Sequence, residues 1–153
     1  MFQPGCNFAQ IARGAWNTWA VDAVFATTDG DVEGVVTIVG PPGSDRSRLL
    51  SAAATKLLER KTALSFVEIN DDGTCIVAIT PADLQPSKYV VIDDLDRAST
   101  EAQRILVDLI DHARSTGATV IASLSDLEKL CAPLRRRVAE GLVIRVHAPP
   151  AAA

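Results

Sequence analysis

Val35-Val36-Thr37-Ile38-Val39-Gly40-Pro41-Pro42-Gly43-Ser44-Asp45-Arg46-Ser47 is a run of five apolar or β-branched residues that breaks into a glycine-proline turn. Such a run reads as a strand buried on both faces, the kind found in parallel sheets. The turn follows the spacing of a phosphate-binding loop, G-x-x-x-x-G-K-[ST], in which bare backbone N–H groups and one lysine surround phosphates. Gly40, Gly43 and Ser47 keep the pattern, but Asp45 takes the place of the second fixed glycine and Arg46 that of the lysine. The residues facing a phosphate would be Gly40, Pro41, Pro42, Gly43, Ser44, Asp45, Arg46 and Ser47.

The two departures act in one direction. A carboxylate at Asp45 lies where polyphosphate would meet backbone donors, and two unit charges ~4 Å apart repel by roughly 4 kcal/mol at an effective dielectric near 20. Arg46 keeps the positive charge, yet a planar guanidinium on a longer stem does not reproduce a compact ammonium. Binding of ATP or ADP with magnesium is therefore expected to be weak or absent, and hydrolysis weaker still. The plainer reading is a glycine-rich turn before an ordinary helix.

The elements around the loop place it in an alternating α/β chain. Working outward, apolar spacing predicts helices over 15–27, 46–60, 100–113 and 126–139. The first carries Trp16, Trp19, Ala20, Ala23 and Val24, and the second Leu49, Leu50, Ala53, Ala54, Leu57 and Leu58 on its inner side. Strands are expected at 35–39, 64–69, 75–79, 89–92, 119–122 and 142–146, with Asn70-Asp71-Asp72-Gly73 turning the second into the third as a hairpin. Alternation of strands and helices implies a three-layer α/β/α fold with a five-stranded, mostly parallel sheet. Residues 1–147 read as a single domain and 148–153 as a loose tail.

Composition agrees with a folded domain and narrows its partners. The 153 residues are 48% hydrophobic and 22% charged, enough for one real core and not for two. A formal net charge of −4 argues against nucleic-acid binding over the whole surface. Cys6, Cys75 and Cys131 lack zinc spacing and read as packing residues in a reducing compartment. No apolar run is long enough to span a bilayer, so a cytoplasmic protein with no membrane contact is expected.

Beyond the loop, Val90-Val91-Ile92-Asp93-Asp94 has the form of a Walker B strand. Asp93, with Ser47, would hold magnesium, and Asp94 would polarise the attacking water as a catalytic residue. The alternative is that the acids cap the next helix. Ser123 follows the strand at 119–122, where its hydroxyl could sense a γ-phosphate, whereas Ser125 with Glu128 reads as a capping box. Leu134-Arg135-Arg136-Arg137 closes a helix, where the helix dipole accounts for the charges as well as a contact to a neighbouring subunit does. His112 and His147 have no partners at metal or triad spacing and read as surface residues.

Three stretches together resemble the AAA+ superfamily, and more narrowly the ATPase domain of the bacterial replication initiator DnaA and its regulatory relatives of the Hda type. They are Phe8-x-x-Ile11-x-x-Gly14-x-x-Asn17-x-x-Ala20, Asp93-Asp94, and Leu134-Arg135-x-Arg137-Val138-x-x-Gly141-Leu142. The resemblance implies that Ile11 and Gly14 lie near the adenine and that Arg137 serves as an arginine finger in trans. It also implies an AAA+ or replication protein as partner, and leaves a homo-oligomer and contact to DNA open. The chain reaches Pro149-Pro150 where the family continues into a helical lid, so a lidless domain is expected. Three functions stay open at this point: a degenerate domain working through protein partners, a slow ATPase, and a nucleic-acid accessory module using Arg135, Arg136, Arg137 and Arg145.

Overall fold

The computed structural model describes residues 5–79 and 87–149. In chain order the elements are α1 (Thr18–Thr28), β1 (Val35–Val39), α2 (Arg46–Glu59), β2 (Leu64–Ile69), β3 (Cys75–Ile79) and β4 (Tyr89–Ile92). They continue with α3 (Thr100–Ser115), β5 (Thr119–Leu124), α4 (Ala132–Ala139) and β6 (Leu142–Arg145), and short 3-10 turns at Phe8–Gln10, Leu95–Arg97 and Leu127–Lys129. One sheet runs β3-β2-β4-β5-β1-β6, parallel throughout except for the antiparallel β2–β3 hairpin.

The sheet therefore has six strands, not five. The expected hairpin forms, and its return strand stays in plane, pairing Cys75 with Ile69 and Ile79 with Ser65 along one edge. The five residues between the strands, 70–74, close the turn tightly, with the Asn70 amide donating to the Thr74 carbonyl and the Gly73 amide to the Asn70 carbonyl, so the return strand satisfies its inner row of backbone groups against β2.

Alternation along the strands splits the core in two. Val35, Val39, Val67, Ile69, Val90, Ile92, Val120, Ala122 and Leu124 face α3 and α4, with Leu106, Ile110, Leu134 and Val138 against them. Ile38, Leu64, Phe66, Val91, Ile121 and Val146 face α1 and α2, against Val24, Leu49, Leu50, Ala53 and Leu57. Each large side chain buried in this way contributes roughly 1.5–3 kcal/mol. The central strands are apolar on both sides because helices cover both faces.

Two helical expectations need correction. Helix 15–27 begins only at Thr18, so Trp16 precedes it, and Trp19 points outward with 81% of its surface exposed. The buried stripe of α1 is made by Ala20, Val21, Val24, Thr27 and Thr28. Helix 126–139 is broken: a 3-10 turn ends at Lys129, and α4 starts afresh with a proline in its first turn, where the missing N–H costs nothing. Of the tail, residues 148–149 are described and 150–153 lie outside the described residues.

Candidate functional site

Parallel pairing brings the carboxyl ends of β1, β4 and β5 to one side of the sheet. Ile92 pairs with Ala122 and Val39 with Leu124, so Asp93 follows beside Ser123 and Gly40 lies just past Leu124. Ser123 sits inside β5, which runs two residues longer than expected, and not after the strand. In an open parallel sheet, the crevice beyond these ends is where ligands bind.

The loop closes on itself. Gly40 N–H donates to the Leu124 carbonyl (3.2 Å), and both the amide and hydroxyl of Ser44 donate to the Pro41 carbonyl (3.2 and 2.6 Å). Only glycine fits at position 40. A Cβ there would stand 2.4 Å from Val146 Cγ2 and 2.9 Å from the Val146 carbonyl oxygen. Asp45 adopts φ 63° and ψ 22°, the left-handed conformation for which the motif uses glycine. Aspartate is one of the few other residues that tolerates it, so the backbone path survives the substitution. Its carboxylate lies 3.9 Å from the Arg48 guanidinium.

Arg46, with 10% of its side chain exposed, runs to the turn after β4, where its Nη2 is 3.5 Å from Asp94 Oδ1. Its Nη1 is buried with no hydrogen-bond partner. Asp94 is itself left-handed, at φ 56°, and a second cation, Arg97 Nη1, lies 3.6 Å from its other oxygen. Burial and the adjacent Asp93 push the Asp94 carboxyl above the usual carboxylate range, against the opposing pull of Arg46 and Arg97.

Ser123 is fully buried and joins the two acids: its hydroxyl donates to Asp93 Oδ1 (2.5 Å) and accepts from the Asp94 amide (2.9 Å). Ser125 is not a cap. Its hydroxyl donates to Asp96 Oδ2 (2.5 Å), and Asp126 caps the following 3-10 turn by accepting from the Glu128 amide. The turn starts one residue later than expected, at Leu127, which moves the capping position from Ser125 to Asp126.

A cleft of about 220 Å³ opens beside the acids, lined by Glu68, Ile69, Asn70, Asp71, Asp93, Asp94 and Arg97. Among the described residues no cluster of three or more His, Cys, Asp or Glu is placed to hold a metal. Ile11 is buried in the α1/α2 core, and Gly14 lies under the Trp16 ring, which a Cβ would meet at 1.9 Å. Asn17 ties this entry segment, accepting from the Gly14 amide and donating to the Ala12 carbonyl. Arg137 stands apart from the loop residues' contacts: it makes a two-pronged pair with Asp111 on α3, at 2.8 and 3.1 Å, and 24% of its side chain is exposed.

Sequence reasoning missed Arg97, Asp96 and Val146. Arg97, three residues beyond Asp94, reaches its carboxylate because the chain turns there as a 3-10 helix, and Asp96 on the same turn accepts from Ser125 and the Asp126 amide. Nothing in the sequence marks Val146 as the wall behind Gly40.

A glycine-proline turn between a buried strand and a helix N-terminus, facing a strand that ends in two acids, defines a three-layer α/β/α P-loop fold. No family model and no curated protein sequence matches the chain. The solved structures do: the fold is that of domain III of the replication initiator DnaA. The domain III structure from Thermotoga maritima has a TM-score of 0.78 and 15% identity, covering 98% of this chain and 70% of that one. A DNA replication initiation factor gives 0.79, 14%, 95% and 50%. DnaA bound to AMPPCP and single-stranded DNA gives 0.79, 15%, 95% and 51%. The chain thus spans about half the length of two of these structures. No helix among the described residues is long and apolar enough to cross a membrane.

Proposed function

We propose that this chain is a degenerate AAA+ domain of the DnaA and Hda type, one that binds nucleotide weakly or not at all and acts through protein partners in regulating or assisting DNA replication. The observation that supports this most is the Arg46–Asp94 pair. In a working P-loop the cation lies against the β- and γ-phosphates and the second acid attends the attacking water. Here the two sit against each other. Each partly neutralises the other, and the Asp45 carboxylate adds negative charge at the mouth of the loop.

The donor set still suits an oxoanion, because Arg46 Nη1 is buried without a partner at the start of α2. Ser47 and Asp93 would hold magnesium, which supplies charge neutralisation for phosphoryl transfer when bound. Against that, one Asp93 oxygen is already occupied by the Ser123 hydroxyl. The protein-partner half of the reading rests on the initiator fold and on α4, whose Arg136 is exposed and whose Arg137 would have to leave Asp111 to serve a neighbour.

A slow ATPase is the second reading, and the left-handed Asp45 favours it, since the loop backbone keeps its shape. Two variants separate the readings. Asp45→Gly with Arg46→Lys should create calorimetric binding of Mg·ATP that the parent lacks; equal affinity in parent and variant would refute degeneracy. Turnover in the parent that Asp94→Asn abolishes would establish the enzyme instead. For the partner, a crosslinked pull-down from native lysate should recover a replication or AAA+ protein, and repeated recovery of neither would overturn that half.

A further inference from the structure

Four charges run in an unbroken line across the site. Arg46 Nη2 is 3.5 Å from Asp94 Oδ1, Asp94 Oδ2 is 3.6 Å from Arg97 Nη1, and Arg97 Nη2 donates to Asp71 Oδ1 at 3.0 Å. The line begins on the phosphate loop and ends at the tip of the β2–β3 hairpin. The tip is docked at a second point as well: the Ser99 amide, at the start of α3, donates to the Gly73 carbonyl at 2.9 Å. Gly73 fits so closely that a Cβ would lie 2.8 Å from the Ser99 nitrogen. The cleft of about 220 Å³ lies between these elements.

The two ends of the line differ in length and in exposure: Asp71 is fully exposed and Arg97 half exposed, whereas Arg46 and Asp94 are largely buried. Arg97–Asp71 has the length of a good charged hydrogen bond, whereas both contacts of Asp94 exceed ordinary hydrogen-bond length. Arg46 also retains one buried nitrogen with no partner. A guanidinium held at 3.5 Å on one side and unsatisfied on the other would exchange its partner for any oxoanion able to accept two hydrogen bonds.

We propose that Asp94 is a built-in counter-ion that holds Arg46 in place of a phosphate, and that Arg97 carries any change in this pairing to the β2–β3 hairpin. The proposal rests on the reading of the loop as a weakened phosphate site. When Arg46 is drawn away from Asp94, Arg97 is the ion-pair partner that the acid keeps among the described residues, and it is pulled inward. Asp71 then loses its partner, and among the described residues the hairpin tip stays tied to α3 through the Gly73–Ser99 bond. In this arrangement the hairpin is the moving part and the phosphate loop the trigger.

Inorganic tripolyphosphate is the probe, because it carries the charge of the nucleotide tail without base or sugar. Asp94→Asn changes charge alone, since asparagine also tolerates the left-handed backbone at this position, and circular dichroism checks the fold. Calorimetry should show Asp94→Asn binding tripolyphosphate at least about tenfold more tightly than the parent. No gain over the parent, including no binding by either, overturns the proposal. The relay is read without ligand, by hydrogen exchange at the Ser99 amide. Arg46→Gln should speed that exchange about threefold or more, and in an Arg97→Gln background the same change should have no effect. Unaltered Ser99 exchange in Arg46→Gln overturns it too. Micromolar Mg·ATP binding by the parent would sink the degenerate reading while leaving the ratio between Asp94→Asn and parent as a separate result.

Discussion

Replacing Ser123 by alanine removes one oxygen that serves two acids at once. The hydroxyl donates to a buried carboxylate at 2.5 Å and accepts from the Asp94 amide at 2.9 Å, and the residue is fully buried. A hydrogen bond to a charged group contributes about 1.5–3 kcal/mol, and leaving a buried donor unsatisfied costs about 1–3 kcal/mol. Water rescue of the Asp94 amide through the adjoining cleft reduces the sum, so a loss of about 3 kcal/mol is expected. For a domain of this size that corresponds to a fall in Tm of roughly 6–12 °C. Urea denaturation followed by circular dichroism, with an unchanged slope, measures it directly. A loss below about 0.5 kcal/mol would show that Ser123 does not hold the acids together. Ser123→Thr, which keeps the hydroxyl, should recover part of the loss.

Further outcomes follow from the same geometry. Gly40→Ala should destabilise by about 1–3 kcal/mol, because the added methyl meets the Val146 carbonyl at 2.9 Å and overpacking carries that cost; a thermal melt unchanged within 1 °C would contradict it. The Arg137 hydrogen bonds hold the Asp111 carboxyl below the usual carboxylate range. A lowered folded value means stability that is present above the unfolded pKa of about 3.9 and is lost as pH falls through the folded value. The difference in urea midpoint between parent and Asp111→Asn should therefore be largest near neutral pH and close in acid; a gap that widens on acidification would reverse the assignment. Trp19→Ser should leave stability within about 0.5 kcal/mol, since that side chain is 81% exposed; a larger loss in urea denaturation would place the ring in the core after all.

Much of the fold was legible because buried parallel strands carry a dense local signal. The run Val35–Val39 and the run Tyr89–Ile92 are apolar on both faces, and their bounds came out as read. The hairpin was legible from Asn70-Asp71-Asp72-Gly73, but not the return strand's place in the sheet, which depends on pairing with Ser65 and Phe66 rather than on its own residues. Trp19 misled because aromatic spacing cannot say which side of a helix meets the core. The break before α4 is marked in the sequence by Pro133, which sits in the first turn of α4 and could not continue a helix from 126 without losing a backbone hydrogen bond.

At the site, residue types and positions were readable while pairings were not. Gly40, Asp93 and Ser123 come together because three strands are adjacent and parallel, which the alternation of elements implies. That Arg46 reaches Asp94, and that Asp45 keeps a glycine's backbone angles, depends on side-chain length and local φ, neither of which spacing encodes. The same holds for Arg137: its position suggested an outward role, and its nearest acid, Asp111, sits on a different helix.

Whether this loop still takes a nucleotide decides most of the account, and calorimetric titration of the unaltered protein with ATP and magnesium, with ADP alongside, tests it most directly. The Arg46–Asp94 pair and the Asp45 carboxylate predict no binding heat until nucleotide reaches about millimolar concentration, an affinity weaker than about 4 kcal/mol. Saturable binding in the micromolar range would contradict the reading and make the altered loop a working one.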